Sequence, residues 1–189
     1  MTELHRRGLL RASLAVAGGL VAAPTGFGVI AFDAADAAPL PEKRIAFRNI
    51  HNNETVDARF FGPNGFDRQG LAEINHGLRD WRTNEVTEMD PALIVLLATL
   101  RDTLEVSPRN RFDIISGYRS PKTNAALHER SSGVASKSQH MLGKATDIAL
   151  PGAPLARVHQ AALALKRGGV GFYPSSGFVH VDTGRVRNW

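Results

Sequence analysis

The order of elements in this sequence predicts an α+β fold. Strand-like and helical stretches follow one another in mixed order, and no internal repeat or low-complexity tract interrupts them. Of the 189 residues, 43% are hydrophobic, enough for a packed core. The length leaves room for one domain once any processed segment is removed.

Residues 1–37 read as an export signal. Arg6-Arg7 precede an apolar run from Ala12 to Phe32, and Ala35-Asp36-Ala37 offers a small-x-small processing site. Cleavage after Ala37 is preferred, because cleavage after Ala38 would leave Pro39 beside the scissile bond. The paired arginines followed by Gly8-Leu9-Leu10 resemble the twin-arginine type of address. A run of about 20 residues is long enough to stay as a membrane anchor. Gly18, Gly19, Pro24, Gly26 and Gly28 make it a mediocre one. The processed chain is expected to keep no stable membrane span and to be periplasmic or otherwise exported to the cell envelope. Residues 38–43 read as a linker and 44–189 as the domain.

Within the domain, 45–50 and 55–61 are strand-like, separated by a hairpin at His51-Asn52-Asn53-Glu54, and Gly62-Pro63-Asn64-Gly65 is a turn. Asp67 can cap a helix reaching about Asn84, with Leu71, Ile74, Leu78 and Trp81 at helical spacing. Asp90-Pro91 opens a second helix, with Pro at its first position and Leu93, Leu96, Leu97 and Leu100 as its buried stripe. A strand over 112–116 leads into Gly117-Tyr118-Arg119; 121–129 can form a helix, and 130–137 is a Ser/Gly-rich loop. A strand over 144–150 stops at Pro151-Gly152, and 155–166 is an amphipathic helix. Residues 168–172 and 177–182 make a closing strand pair around Tyr173-Pro174-Ser175-Ser176.

Lysine and arginine outnumber acidic residues 23 to 18, and residues 1–37 carry three of each sign, so processing leaves the net charge at +5. That excess suits an anionic partner such as an acidic wall polymer. The basic residues are scattered and no nucleic-acid-binding signature is present, so no nucleic-acid partner is expected. There is no cysteine, which excludes disulfides, thiolate metal sites and a thiol nucleophile. No Gly-x-Ser-x-Gly elbow occurs.

The chemical signal lies in His140, Asp147 and His180. Asp147 falls on an apolar strand, where an unpaired carboxylate is expensive to bury. A metal ion would offset that cost, and so would a salt bridge from Arg119 or Lys144. Two imidazoles and one carboxylate can bind zinc and leave a fourth position for water, the arrangement of a catalytic site. Gly143 allows close backbone approach, and Arg119 is a candidate anion-stabilising group whose plain alternative is a surface ion pair.

The combination Ser138-x-His140-x-x-Gly143-x-Ala145-x-Asp147, preceded by Ser116-Gly117-Tyr118-Arg119-Ser120 and followed by His180, resembles the M15 family of zinc D,D-peptidases. Gly168-Gly-Val-Gly-Phe-Tyr-Pro174, Gly177-Phe-Val-His-Val-Asp-Thr-Gly184 and Arg187-Asn-Trp189 look more narrowly like its murein endopeptidase branch. The resemblance covers roughly residues 44–189. It implies a small central antiparallel sheet flanked by helices, and one zinc per chain on His140, Asp147 and His180. It further implies substrate contacts from Arg119 and Ser138, with Arg119 near the scissile carbonyl. The target would be a peptidoglycan peptide cross-link, most of all one involving meso-diaminopimelate. Many carboxypeptidases of the family it resembles carry a glutamate base three residues before the last zinc histidine, where this chain has Gly177. Asp182 shares a strand face with His180, so it is a candidate either for the base or for a partner that fixes a ligand imidazole.

Tyr118 and Tyr173 are candidates for lining a groove, with packing as the plain alternative. His128-Glu129 fails the HExxH pattern because position 132 is Ser. His51, His76 and His159 read as structural or surface residues. The expectation is an exported, monomeric zinc endopeptidase acting on peptidoglycan cross-links. The alternatives are a D,D- or L,D-carboxypeptidase on stem peptides and a non-catalytic zinc- or wall-binding module, the latter favoured by the missing glutamate.

Overall fold

The computed structural model describes residues 41–107, 109–131 and 133–189. The expected export signal and half of the expected linker lie outside these residues, and Lys43, the last linker position, already belongs to the first strand.

Among the described residues, eight strands form one sheet: β1 (Lys43–Asn49), β2 (Thr55–Gly62), β3 (Gly65–Phe66), β4 (Phe112–Ser116), β5 (Ala145–Ala149), β6 (Gly169–Tyr173), β7 (Phe178–Asp182) and β8 (Arg187–Asn188). Their order across the sheet is β3-β2-β1-β4-β5-β7-β6-β8. Four α-helices accompany it among the described residues: α1 (Arg68–Gly77), α2 (Pro91–Thr103), α3 (Pro121–Arg130) and α4 (Leu155–Leu165). The α+β expectation holds. The sheet is not purely antiparallel, because β1 runs parallel to β4 and β6 parallel to β8. The connection from β2 passes through α1 and α2 before the chain returns as β4, which is what allows a parallel neighbour.

Local chemistry accounts for the starts of the first three helices. Asp67 caps α1 through bonds from the Gln69 and Gly70 amides, and Asp90 caps α2 through the Ala92 amide, with Pro91 following. Ser120 caps α3 by accepting from the Thr123 amide at 3.2 Å. Helix α2 turns Leu93, Leu96, Leu97 and Leu100 inward as its periodicity demands. It packs on β1 and on α4, which in turn covers β6 and β7. Phe47, Phe60, Phe112, Ile114, Ile148, Val179 and Val181 complete the core from the sheet side.

Helix α1 is shorter than its periodicity predicts. It stops at Gly77, packed so closely on Phe47 and Val56 that a Cβ there would lie 2.5–2.9 Å from their side chains. Beyond it, the Leu78 carbonyl accepts from the Tyr118 amide at 2.7 Å, and Arg79 forks onto Glu54 at 2.7 and 2.8 Å. Leu78 still faces the core, but Trp81 lies off the helix, stacked against His51 at 4.3 Å. Strands β3 and β8, two residues each, are too short to leave a pattern in sequence.

Candidate metal centre

The sheet register assembles the site. Ser116 of β4 pairs with Asp147 of β5, Asp147 with His180 of β7, and His180 with Gly171 of β6, so one row crosses four strands. Directly opposed residues of an antiparallel pair hold their Cβ atoms about 4.5–5.5 Å apart. Asp147 and His180 are therefore brought together by backbone pairing. Val179 and Val181 alternate to the core side, leaving His180 and Asp182 on the other face.

His140 comes from outside the sheet, on a 3-10 turn (Gln139–Leu142) capped by Ser138, whose Oγ accepts from the His140 amide. Gly143 ends the turn at φ +65°, a left-handed conformation that disfavours side-chain-bearing residues. The Glu88 carbonyl lies 2.5 Å from where its Cβ would be. The His140 carbonyl accepts from the Arg119 amide at 3.3 Å, which ties the turn to the β4–α3 loop.

His140 Nε2, Asp147 Oδ1 and His180 Nδ1 form a small triangle. Its sides are 3.2 Å between the imidazoles, 3.2 Å from His140 to Asp147 and 2.9 Å from His180 to Asp147. A tetrahedral ion with bonds of about 2.0–2.1 Å needs ligand separations of about 3.3 Å. Every atom turned away from the triangle has a partner. His140 Nδ1 meets the Gly117 carbonyl at 2.7 Å, His180 Nε2 meets Asp182 Oδ2 at 3.0 Å, and Asp147 Oδ2 accepts from Arg119 Nη2 at 2.8 Å. A carbonyl and an ionised carboxylate only accept, so those two ring nitrogens carry the hydrogens. In the neutral rings the facing nitrogens then present lone pairs to one another and to a carboxylate oxygen. That convergence of acceptors is what a cation relieves, and the donor set fits a divalent ion.

The electrostatics favour an ionised Asp147 at the triangle. Burial alone would raise the Asp147 carboxyl, but His140 and His180 hold it far below the usual carboxylate range. Burial pushes His140 down despite Asp147. His180 is opposed by burial yet raised by Asp147 and Asp182. Asp182 is fully buried and held low: burial opposes, while His180, Arg187 and the Gly169 and Gly184 amides prevail.

The triangle opens on a cavity of about 300 Å³. One bank is formed by Ser131, Val134, Ala135, Lys137 and Ser138, and the other by Tyr173, Phe178 and Trp189. Arg119 lines the cavity, braced by Ser116 Oγ at 2.9 Å as well as by Asp147. Of the two salt bridges considered for Asp147, Arg119 makes it and Lys144 does not. Ser138 borders the cavity. Tyr118 does not: it packs against the core, outside the lining, because its amide is drawn to Leu78. Asp182 lies behind His180, across the ring from the triangle, with both oxygens taken up by hydrogen bonds. Among the described residues Asp147 is the one carboxylate lining the cavity. Gly177 is a left-handed turn residue at φ +74°.

Sequence reasoning named no role for Trp189 or Arg187. Trp189 Nε1 donates to the Tyr173 hydroxyl at 2.6 Å, and its ring lies 5.2 Å from that of His180. Gly171 makes room for it, since a Cβ there would sit 2.6 Å from the indole. Arg187 forks onto Asp182 at 2.7 and 3.1 Å. The signal available was a run of charged and aromatic residues at the chain's end, and only the sheet places it beside His180. His51 and His159 stack on Trp81 and Phe172, while His76 is exposed, as their structural or surface reading anticipated.

An α+β sheet that gathers two imidazoles and a carboxylate onto an open cavity has the layout of a metallohydrolase. A family model described as "Peptidoglycan L,D-endopeptidase MepK" matches residues 37–189, and the chain belongs to this Peptidase_M15_2 family. It is 43% identical over 150 residues to the peptidoglycan L,D-endopeptidase MepK of Escherichia coli K12, covering 79% of this chain and 81% of that one. It is 43% identical over 151 residues to the probable peptidoglycan L,D-endopeptidase MepK of Haemophilus influenzae Rd, covering 79% and 80%. No solved structure matches. No described helix is long and apolar enough to cross a membrane.

Proposed function

We propose that this chain is a zinc-dependent murein endopeptidase of the cell envelope, hydrolysing peptide cross-links of peptidoglycan that involve meso-diaminopimelate. The observation that carries the reading is the triangle of His140, Asp147 and His180, whose outward atoms are all engaged and whose inward atoms all accept. Family membership and the printed names of the relatives supply the substrate class.

His140, Asp147 and His180 would hold the zinc, which would supply Lewis acidity for activating a water and polarising the carbonyl under attack. Arg119 sets a fixed positive charge in the same cavity, where negative charge grows on the carbonyl oxygen. Its bonds to Ser116 and Asp147 hold it in advance, so it favours the transition state over the ground state without reorganising. Asp182 is a positioning residue: it fixes the His180 tautomer and is itself locked by Arg187. Tyr173, Phe178 and Trp189 give the stem peptide an apolar bank, and Ser138 gives it a polar edge.

Digestion of purified muropeptide dimers with and without a chelator tests the reading. Cleavage of the cross-link, lost on chelation and restored by zinc, is expected. Release of a terminal D-amino acid alone would make the chain a carboxypeptidase, and binding without cleavage under any metal would make it a wall-binding module.

A further inference from the structure

Arg119, Lys137 and Arg187 are the lysine and arginine side chains lining the metal-centre cavity. Two are committed: Arg119 to Asp147 at 2.8 Å and Arg187 to Asp182 at 2.7 Å. Lys137 has no carboxylate within salt-bridge distance among the described residues, and it is exposed on the loop bank, opposite the aromatic wall. Its backbone is held on both sides. Asn124, 2% exposed, donates its amide to the carbonyls of Ala135 at 3.1 Å and Ser136 at 3.4 Å. Ser138, directly after, caps the turn that carries His140. A flexible ammonium is thus mounted on a fixed piece of chain, one residue from Ser138 and three from His140.

The substrate chemistry supplies a match, and this step rests on the proposed peptidoglycan reading. In a cross-link through a diaminodiacid, the carbon attached to the scissile nitrogen carries a free carboxylate. The same is true of the terminal residue that a carboxypeptidase releases. Either substrate brings one unpaired anion into a cavity that offers one uncommitted lysine or arginine. Leaving that anion without a partner in a partly enclosed site is costly.

We infer that Lys137 is the specificity-determining cation of this site, pairing with the carboxylate on the carbon next to the scissile nitrogen. Lys137 acts in binding and orientation, whereas Arg119 acts on the carbonyl side. A peptide with that carboxylate converted to an amide loses the contact while keeping its scissile bond.

The test compares zinc-loaded wild type, Lys137→Gln and Lys137→Arg on two isopeptide dimers, identical except for a free or amidated carboxylate at that carbon. KM and kcat are measured separately, with calorimetric binding in parallel. Wild type should favour the acid over the amide by about ten- to hundredfold in KM, the range of a charge-assisted contact. K137Q should collapse that ratio to near one, and K137R should retain most of it. Equal losses of K137Q on both dimers would mean a structural loop role, and an unchanged ratio would mean no role; either overturns the inference. If wild type cleaves neither dimer, the endopeptidase reading fails. The acid-to-amide binding ratio in wild type and K137Q still decides the role of Lys137.

Discussion

Replacing Asp182 by asparagine removes the charge and turns one acceptor oxygen into a donor. Five hydrogen bonds end on this carboxylate. Oδ2 accepts from His180 Nε2 at 3.0 Å and Arg187 Nη2 at 2.7 Å. Oδ1 accepts from the amides of Gly169 at 3.0 Å and Gly184 at 2.8 Å, and from Arg187 Nη1 at 3.1 Å. Whichever way the asparagine turns, its N–H₂ faces at least two donors. Breaking a buried charge pair costs about 3–5 kcal/mol, and the low end applies because Arg187 is 28% exposed and can recover water. In a domain of this size that lowers Tm by about 6–12 °C. His180 also loses the acceptor that fixes its tautomer, and loss of such a partner weakens metal binding by about 10–100-fold. The assay is a chelator-competition titration of zinc, with kcat on muropeptide dimers at saturating zinc, well below the variant's melting temperature. The expected result is weakened zinc affinity with kcat restored to within a few-fold. Unchanged zinc affinity with kcat reduced about 100-fold or more would make Asp182 the general base and refute the positioning role.

Three further outcomes follow from the same geometry. Arg119→Ala, assayed at saturating zinc because Arg119 also braces Asp147, should lower kcat by about 100–1000-fold; a loss under tenfold would remove it from the carbonyl site. Asp80 is buried beneath the cap of α3, where its carboxylate accepts from the Ser120 amide. Burial opposes its ionised form, but Thr123, the Ser120 amide and the Arg82 amide hold its carboxyl below the usual value. Its stabilising effect is therefore full above about pH 4 and lost as pH falls through its lowered value. In urea titrations Asp80→Asn should be less stable at neutral pH, with the gap to wild type closing in acid; a gap that widens in acid would contradict this. Gly70→Ala would set a Cβ 1.6 Å from the Arg59 carbonyl oxygen, so α1 must shift, at about 3 kcal/mol or more; an unchanged urea midpoint would refute the contact.

Much of this architecture is legible in the sequence, for reasons visible at particular residues. The caps Asp67, Asp90 and Ser120 act within a few residues of themselves, and the Leu93–Leu100 stripe repeats at the helical period, so both are local signals. The spacing and the resemblance point to convergence of His140, Asp147 and His180; the register of β5 on β7 brings Asp147 and His180 together, and the Gln139–Leu142 turn delivers His140. What stayed hidden depends on distant partners. Helix α1 stops early because Phe47, Val56 and Tyr118 compete for Gly77 and Leu78, although Trp81 continues the period. Tyr118 and Tyr173 look alike in sequence, yet Trp189 draws Tyr173 to the cavity and Leu78 holds Tyr118 to the core. The strand period places Asp182 on the face of His180. Its position behind the ring follows from Gly169, Gly184 and Arg187, which no period reports.

The measurement closest to the central claim is zinc stoichiometry after equilibrium dialysis, read by atomic emission on wild type, His140→Ala, Asp147→Asn and His180→Ala, with folding checked by circular dichroism. The account predicts one zinc per wild-type chain and strongly reduced zinc in each folded variant. A folded wild type that takes up no zinc, or variants that all keep a full equivalent, would contradict it.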